Sequence, residues 1–97
     1  MSPALPPNLP TKEREAIPHW TYDPDRRALY RRIVTPDFRT AIGIMMQTAL
    51  VAERLDHHPE WSNVYNRLDI WLTTHDAGDV TVRDGELAHA INQIADG

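Results

Sequence analysis

Hydrophobic positions recur at helical spacing between residues 38 and 55, and they do so on nearly two faces. Phe38, Ala41, Ile42, Met45, Ala49 and Ala52 mark one face. Ile44, Met46, Leu50, Val51 and Leu55 cover much of the rest. Thr35-Pro36-Asp37 supplies a helix start: a capping hydroxyl, a proline in the first turn and an acid near the positive end of the dipole. The predicted helix runs to about Asp56. A surface helix needs a single apolar stripe, so two stripes predict packing on the domain's own sheet and also on another subunit.

Elsewhere the period shortens. Val64-Tyr65, then residues 68–74, read as strand, with Leu68, Ile70 and Leu72 on one side and Trp71 on the face away from the helices. Trp20-Thr21-Tyr22, a turn at Asp23-Pro24-Asp25, and residues 28–34 predict a hairpin of uncertain register. Residues 76–79 form a loop. Thr81-Val82-Arg83-Asp84 resembles a capping box with Asp in place of Glu, opening a helix whose buried stripe is Leu87, Ala90, Ile91 and Ile94. Residues 1–10 hold four prolines and form an extended, poorly ordered lead-in. Thr11 caps a short helix over residues 12–16, which Pro18 stops. The order helix, hairpin, helix, strand, helix predicts an α+β domain, residues 11–97, with helices on one face of an antiparallel sheet of three to four strands.

Composition narrows the function. The 97 residues make one domain, small enough to gain from oligomerisation. A net charge of −4 argues against a duplex nucleic-acid binder, which needs a basic face. With no Cys there is no disulfide framework, thiol nucleophile or zinc-thiolate site. No apolar run approaches the roughly 20 residues of a membrane span, and the N-terminus lacks a signal peptide's basic start and apolar core. The expectation is a soluble cytoplasmic protein.

The chemistry concentrates in Glu53-Arg54-Leu55-Asp56-His57-His58-Pro59-Glu60-Trp61 and, further on, Thr73-Thr74-His75. Imidazole exchanges protons near neutral pH. Asp56, His57 and His58 sit where the central helix ends, a place that favours a cation, and Pro59 keeps that corner open. A solvated helix end would explain the His pair alone. Glu53 one turn before His57, and Thr74-His75 at a strand end on the same rim, favour a proton-transfer site. Adjacent histidines chelate one ion poorly and no HxH or HExxH spacing is present, which disfavours a metal site. Ser62 lies in no nucleophile-elbow pattern. His19 and His89 read as ordinary surface or partly buried histidines. Trp20, Trp61 and Tyr65 read as packing, or as an aromatic wall for a flat ligand.

Glu53, His57-His58-Pro59, Tyr65, His75 and Asp84 form a pattern that resembles the pterin-4a-carbinolamine dehydratases. The likeness extends from Asp37-Phe38 through Pro59-Glu60-Trp61-Ser62-Asn63-Val64-Tyr65-Asn66 and Leu72-Thr73-Thr74-His75 to about Ile94. The resemblance implies loss of water from a 4a-hydroxytetrahydropterin, giving the quinonoid dihydropterin, in recycling of the tetrahydrobiopterin-type cofactor of aromatic amino acid hydroxylases. It implies a lyase without metal, flavin or nucleotide. His57 and His75 become the acid/base pair and His58 the residue that orients the pterin. Asp56, Thr73, Thr74 and His75 line the ring pocket, with Glu53 and Trp20 nearby, and Arg83 and Asp84 support it from the last helix.

The family fold implies dimers or tetramers built through sheet edges and the central helix. A hydroxylase is the pathway partner, and neither nucleic acid nor membrane is expected. Departures lie in packing positions: a first helix of about two turns between Pro10 and Pro18, Thr35 where an aromatic is common, and Ile42 and Ile44 for frequent phenylalanines. The alternative is a non-catalytic binding or assembly factor on the same fold, as in the branches that stabilise transcription-factor dimers or help assemble Rubisco.

Overall fold

A computed structural model describes residues 17–97; the Pro-rich lead-in and the helix expected over residues 12–16 lie outside the described residues. The strands are β1 (Thr21–Asp23), β2 (Ala28–Val34), β3 (Glu60–Val64) and β4 (Arg67–Leu72), and the helices are α1 (Phe38–Leu55) and α2 (Val82–Asp96). The sheet is antiparallel in the order β1-β2-β4-β3.

The predicted hairpin forms because Asp23 turns the chain. Its Oδ1 accepts from the N–H groups of Asp25 (3.0 Å) and Arg26 (3.2 Å), and Arg27 completes the turn with φ 50°. The register aligns Thr21 with Tyr30 and Asp23 with Ala28. Along β2, Leu29, Arg31 and Ile33 point inward and Tyr30, Arg32 and Val34 outward. Leu68, Ile70 and Leu72 of β4 are buried, as their alternation predicts. Trp71 turns to the opposite face, with its ring 5.2 Å from that of Tyr30 and the Arg26 guanidinium 3.8 Å above it.

β3 corrects the reading of Val64-Tyr65 as continuing strand. The strand occupies residues 60–64, and Tyr65, at φ 53°, already lies in the turn to β4. Asn63 holds that turn by donating from Nδ2 to the carbonyls of Tyr65 (3.1 Å) and Arg67 (2.9 Å).

The cap of α1 is also corrected. Asp37, not Thr35, is the N-cap, its Oδ1 accepting from Thr40 N–H (2.8 Å) and Thr40 Oγ1–H (2.7 Å). Both bonds hold the Asp37 carboxyl below the usual range. Thr35 instead donates its hydroxyl to the Asp37 carbonyl (2.6 Å) and its N–H to the Asn66 carbonyl (2.9 Å), tying the helix start to the β3–β4 turn.

Both helices pack on one face of the sheet and against each other. The buried seam of α1 is Ala41, Ile44, Thr48 and Ala52, which mixes the two predicted stripes. Phe38, Met46 and Leu50 remain exposed, Leu50 at 71%. On α2 the seam is Leu87, Ala88, Ile91 and Asn92, with Ala90 and Ile94 only half-buried. The shift follows from Asn92, whose Oδ1 accepts from Trp20 Nε1 (2.8 Å) and Arg31 Nη1 (2.5 Å) and whose Nδ2 donates to the Pro18 carbonyl (2.9 Å). A buried polar residue with three partners turns the helix as firmly as an apolar one. Between the layers lie Ile17, Trp20, Leu29, Ile33, Ile44, Leu68, Ile70, Leu72, Val80, Leu87 and Ile91. Among the described residues no helix is long and apolar enough to cross a membrane.

Candidate active site

Three segments end at one corner. α1 stops at Leu55 and Asp56 turns left-handed at φ 52°. Its N–H bonds to the Glu53 carbonyl (3.2 Å), and His57 N–H bonds to the Ala52 carbonyl (3.0 Å), which closes the helix. Pro59 bars further helix and delivers Glu60 to the start of β3. After β4, Thr74 N–H bonds to the Asp79 carbonyl (3.2 Å), and a single 3-10 turn (His75–Ala77) closes on Gly78 at φ 71°. Gly78 accepts that conformation without a Cβ penalty. Tyr22 fixes the loop from β1 by donating to Asp79 Oδ1 (2.9 Å). Burial, followed by that bond to a carboxylate, raises the Tyr22 pKa above the ordinary phenol value, so the donor proton stays in place near neutrality.

Between these segments lies a cleft of about 340 Å³, within the range of small-molecule sites. Asp56, His57, His58, Pro59 and Glu60 line one run of it, Thr73, Thr74, His75 and Asp76 another, and Arg83 reaches in from α2. The Arg83 guanidinium donates from Nη2 to the Asp56 carbonyl (2.8 Å), which joins the start of α2 to the end of α1.

Each of the three cleft histidines meets its own carboxylate. His57, 7% exposed, has Nε2 2.5 Å from Asp84 Oδ1. Asp84 is fully buried and its other oxygen accepts from Thr74 Oγ1–H (2.7 Å) and Thr81 N–H (2.9 Å). Thr74 has one hydroxyl proton and spends it on Asp84, so the 2.7 Å contact between Thr74 and Thr81 is donated by Thr81. The capping box expected at Thr81 and Asp84 is present, and the same Asp84 that closes it also holds His57. His58 Nε2 lies 2.8 Å from Glu53 Oε1, with both side chains largely exposed. His75 Nε2 lies 3.3 Å from Glu60 Oε1.

Asp56, His57, His58, Thr73, Thr74, His75 and Arg83 thus share one cleft, with Asp84 directly behind His57. Glu53 reaches the site only through His58. One helical turn would set it against His57, but the left-handed Asp56 swings the chain so that the next histidine meets it. Trp20 does not belong to the cleft: it is 5% exposed and bonded to Asn92, which lies toward the other end of α2. Its position just before β1 gives no hint of a partner 72 residues away. His19 and His89 are exposed and outside the cleft. Glu60 and Asp76 also line it; the sequence reading names Glu60 within the motif run and Asp76 within a loop but gives neither a role, although each directly follows a motif residue, Pro59 and His75.

A family sequence model described as "Pterin 4 alpha carbinolamine dehydratase" matches residues 5–94. A relative from Rhizorhabdus wittichii is 52% identical over 82 residues, covering 84% of this chain and 84% of its own. Another, from Bradyrhizobium diazoefficiens, is 53% identical over 79 residues, covering 81% and 79%. The names of both set them with the pterin-4-alpha-carbinolamine dehydratases. The crystal structure of a "transcriptional coactivator/pterin dehydratase" from Brucella melitensis superposes with a TM-score of 0.82 at 45% identity, over 87% of this chain and 89% of that one. With a family match across nearly its whole length and relatives at half identity, the chain belongs to the pterin 4 alpha carbinolamine dehydratase family.

Proposed function

We propose that the cleft dehydrates a 4a-hydroxytetrahydropterin to the quinonoid dihydropterin and water, as a hydro-lyase. The C4a–O bond breaks and the departing oxygen takes up a proton to leave as water. The N5–H bond gives up its proton while its electron pair forms the C4a=N5 bond. One group must therefore give a proton and another must take one.

The observation that carries this reading is the pairing of two histidines from separate segments in one cleft, each beside a carboxylate. His57 has Nε2 engaged by Asp84, which leaves Nδ1 as its site of proton exchange and supplies a fixed negative charge when the ring is protonated. His75 is 80% exposed, so it can trade protons with water between turnovers. We assign the proton transfers to these two and the grip on the ring to His58. Asp56 and Arg83 offer an acceptor and a donor to the polar edge of a pterin. On this reading the protein serves tetrahydropterin recycling in the cytoplasm, with an aromatic amino acid hydroxylase as the source of its substrate. A purely protein-binding role would leave the His57–Asp84 pair idle, although burying charge is costly.

The test is the rate of dehydration of a freshly generated 4a-hydroxytetrahydropterin. His57→Ala and His75→Ala should each slow it by roughly 10²–10⁴-fold, as expected for acid–base groups. Unchanged turnover in both variants would remove the assigned roles.

A further inference from the structure

The three cleft histidines differ in what holds them. His57 is packed and bonded to a buried aspartate, and His58 is within hydrogen-bond distance of Glu53. His75 has neither burial nor a close hydrogen bond to fix its ring. At 80% exposure it leans only on Glu60 Oε1, 3.3 Å from Nε2. Among the described residues, Glu60 is the one carboxylate at ion-pair distance from it.

Both residues are set by the same piece of sheet. Glu60 opens β3 and pairs in register with Trp71 of β4, and His75 follows the end of that strand across Thr73 and Thr74. Thr73 is itself tied by its hydroxyl to the Arg27 carbonyl (2.8 Å). The backbone positions of the two residues are therefore set by the β3–β4 pairing and by the bonded turn that follows β4, while their exposed side chains depend on each other for orientation.

Magnitude decides what such a pair can do. With Glu60 51% exposed, water screens the attraction, and the pair adds little to folding stability. A flat substrate seated in the cleft displaces that water, and the same charges then act through a lower effective dielectric. The pair matters during turnover rather than during folding. We propose that Glu60 is a positioning residue for His75: its carboxylate holds the imidazole toward the cleft and balances the positive charge the ring bears while it carries a proton. The inference rests on the reading of His75 as a proton carrier.

The test is steady-state kinetics of the full chain on a 4a-hydroxytetrahydropterin, with Glu60→Gln, Glu60→Asp, His75→Ala and the Glu60→Gln/His75→Ala pair. Glu60→Gln keeps the size and removes the charge. It should lower kcat by about 3- to 10-fold with KM little changed and the melting temperature unaltered. Glu60→Asp should recover part of the loss. In the His75→Ala background, Glu60→Gln should cost nothing further, since its partner is gone. A Glu60→Gln protein as fast as wild type overturns the inference, and so does an equal loss with and without His75. A fully active His75→Ala protein would instead overturn the reading of His75, and the inference with it.

Discussion

His57 is the cleft histidine that water scarcely reaches, and its geometry hangs on Asp84. That carboxylate accepts from His57, Thr74 and Thr81 at once, so its charge is buried but fully bonded. Asp84→Asn keeps the shape yet can turn only one acceptor oxygen toward three donors. It should destabilise the fold by about 2–4 kcal/mol and slow dehydration on the order of 10²-fold, read by urea unfolding and by initial rate. An Asn variant with wild-type stability and rate would show that Asp84 only closes the helix cap. Much of the site is legible in the sequence: the His-His-Pro run, Thr74-His75 and the capping box all announce themselves in short stretches. The bonds that join them are not, because Asp84 and His57 are 27 residues apart and no local pattern encodes that meeting. Trp20 shows the converse: of its two readings, packing or ligand wall, the bond to Asn92 and the burial fit the packing one, and no local pattern announces that partner.

At the scale of elements, the helices, the first hairpin and β4 follow from periodicity and turn residues, whereas β3 does not. Its five residues contain only two large apolar side chains, and the chain around them carries the motif rather than an alternation. The cap of α1 is misplaced by two residues in the sequence reading because Thr35 and Asp37 are both good caps, and the bonds of Thr35 to the Asn66 and Asp37 carbonyls leave the capping to Asp37. The doubled stripe on α1 is legible as such. Within one chain it leaves Phe38, Met46 and Leu50 uncovered at 48%, 62% and 71% exposure. The apolar excess of α1 makes a second copy of the chain the expected cover for these positions, an assignment that sedimentation tests. Met46→Glu together with Leu50→Glu should shift the protein to smaller species in sedimentation velocity while the helical circular dichroism is kept. A wild-type protein that sediments as a monomer at micromolar concentration would refute the assignment.

Across the whole molecule, chemistry and anchoring sit at opposite ends of α2. Its first turn carries Arg83 and Asp84 to the cleft, and its last turns carry Asn92 and Asp96 to Arg31 of the sheet. Hydrogen bonding from Arg31 is the main reason the Asp96 carboxyl lies below its ordinary value; burial opposes it, and the charges of Arg31 and His19 add lesser downward pulls. On the outer sheet face, burial alone would raise Asp69, but its bonds from Arg32 (2.8 Å) and Tyr30 (2.5 Å) outweigh that and lower it. Carboxylates lowered in the folded state add stability that is fully present above the unfolded Asp value of about 4 and is lost as pH falls through the lower folded values. The urea midpoint should therefore hold steady from about pH 7 to 5 and drop below about pH 4, with Asp96→Asn losing less on acidification than wild type. A midpoint that stays level or rises toward pH 3 would contradict this. The decisive rate is the disappearance of a 4a-hydroxytetrahydropterin, followed by stopped flow, with the wild-type chain and the His57→Ala/His75→Ala double variant. Acceleration over buffer by the wild type, falling to the buffer rate in a double variant that remains folded, is the predicted result; a wild-type chain no faster than buffer, or a double variant as fast as wild type, would contradict it.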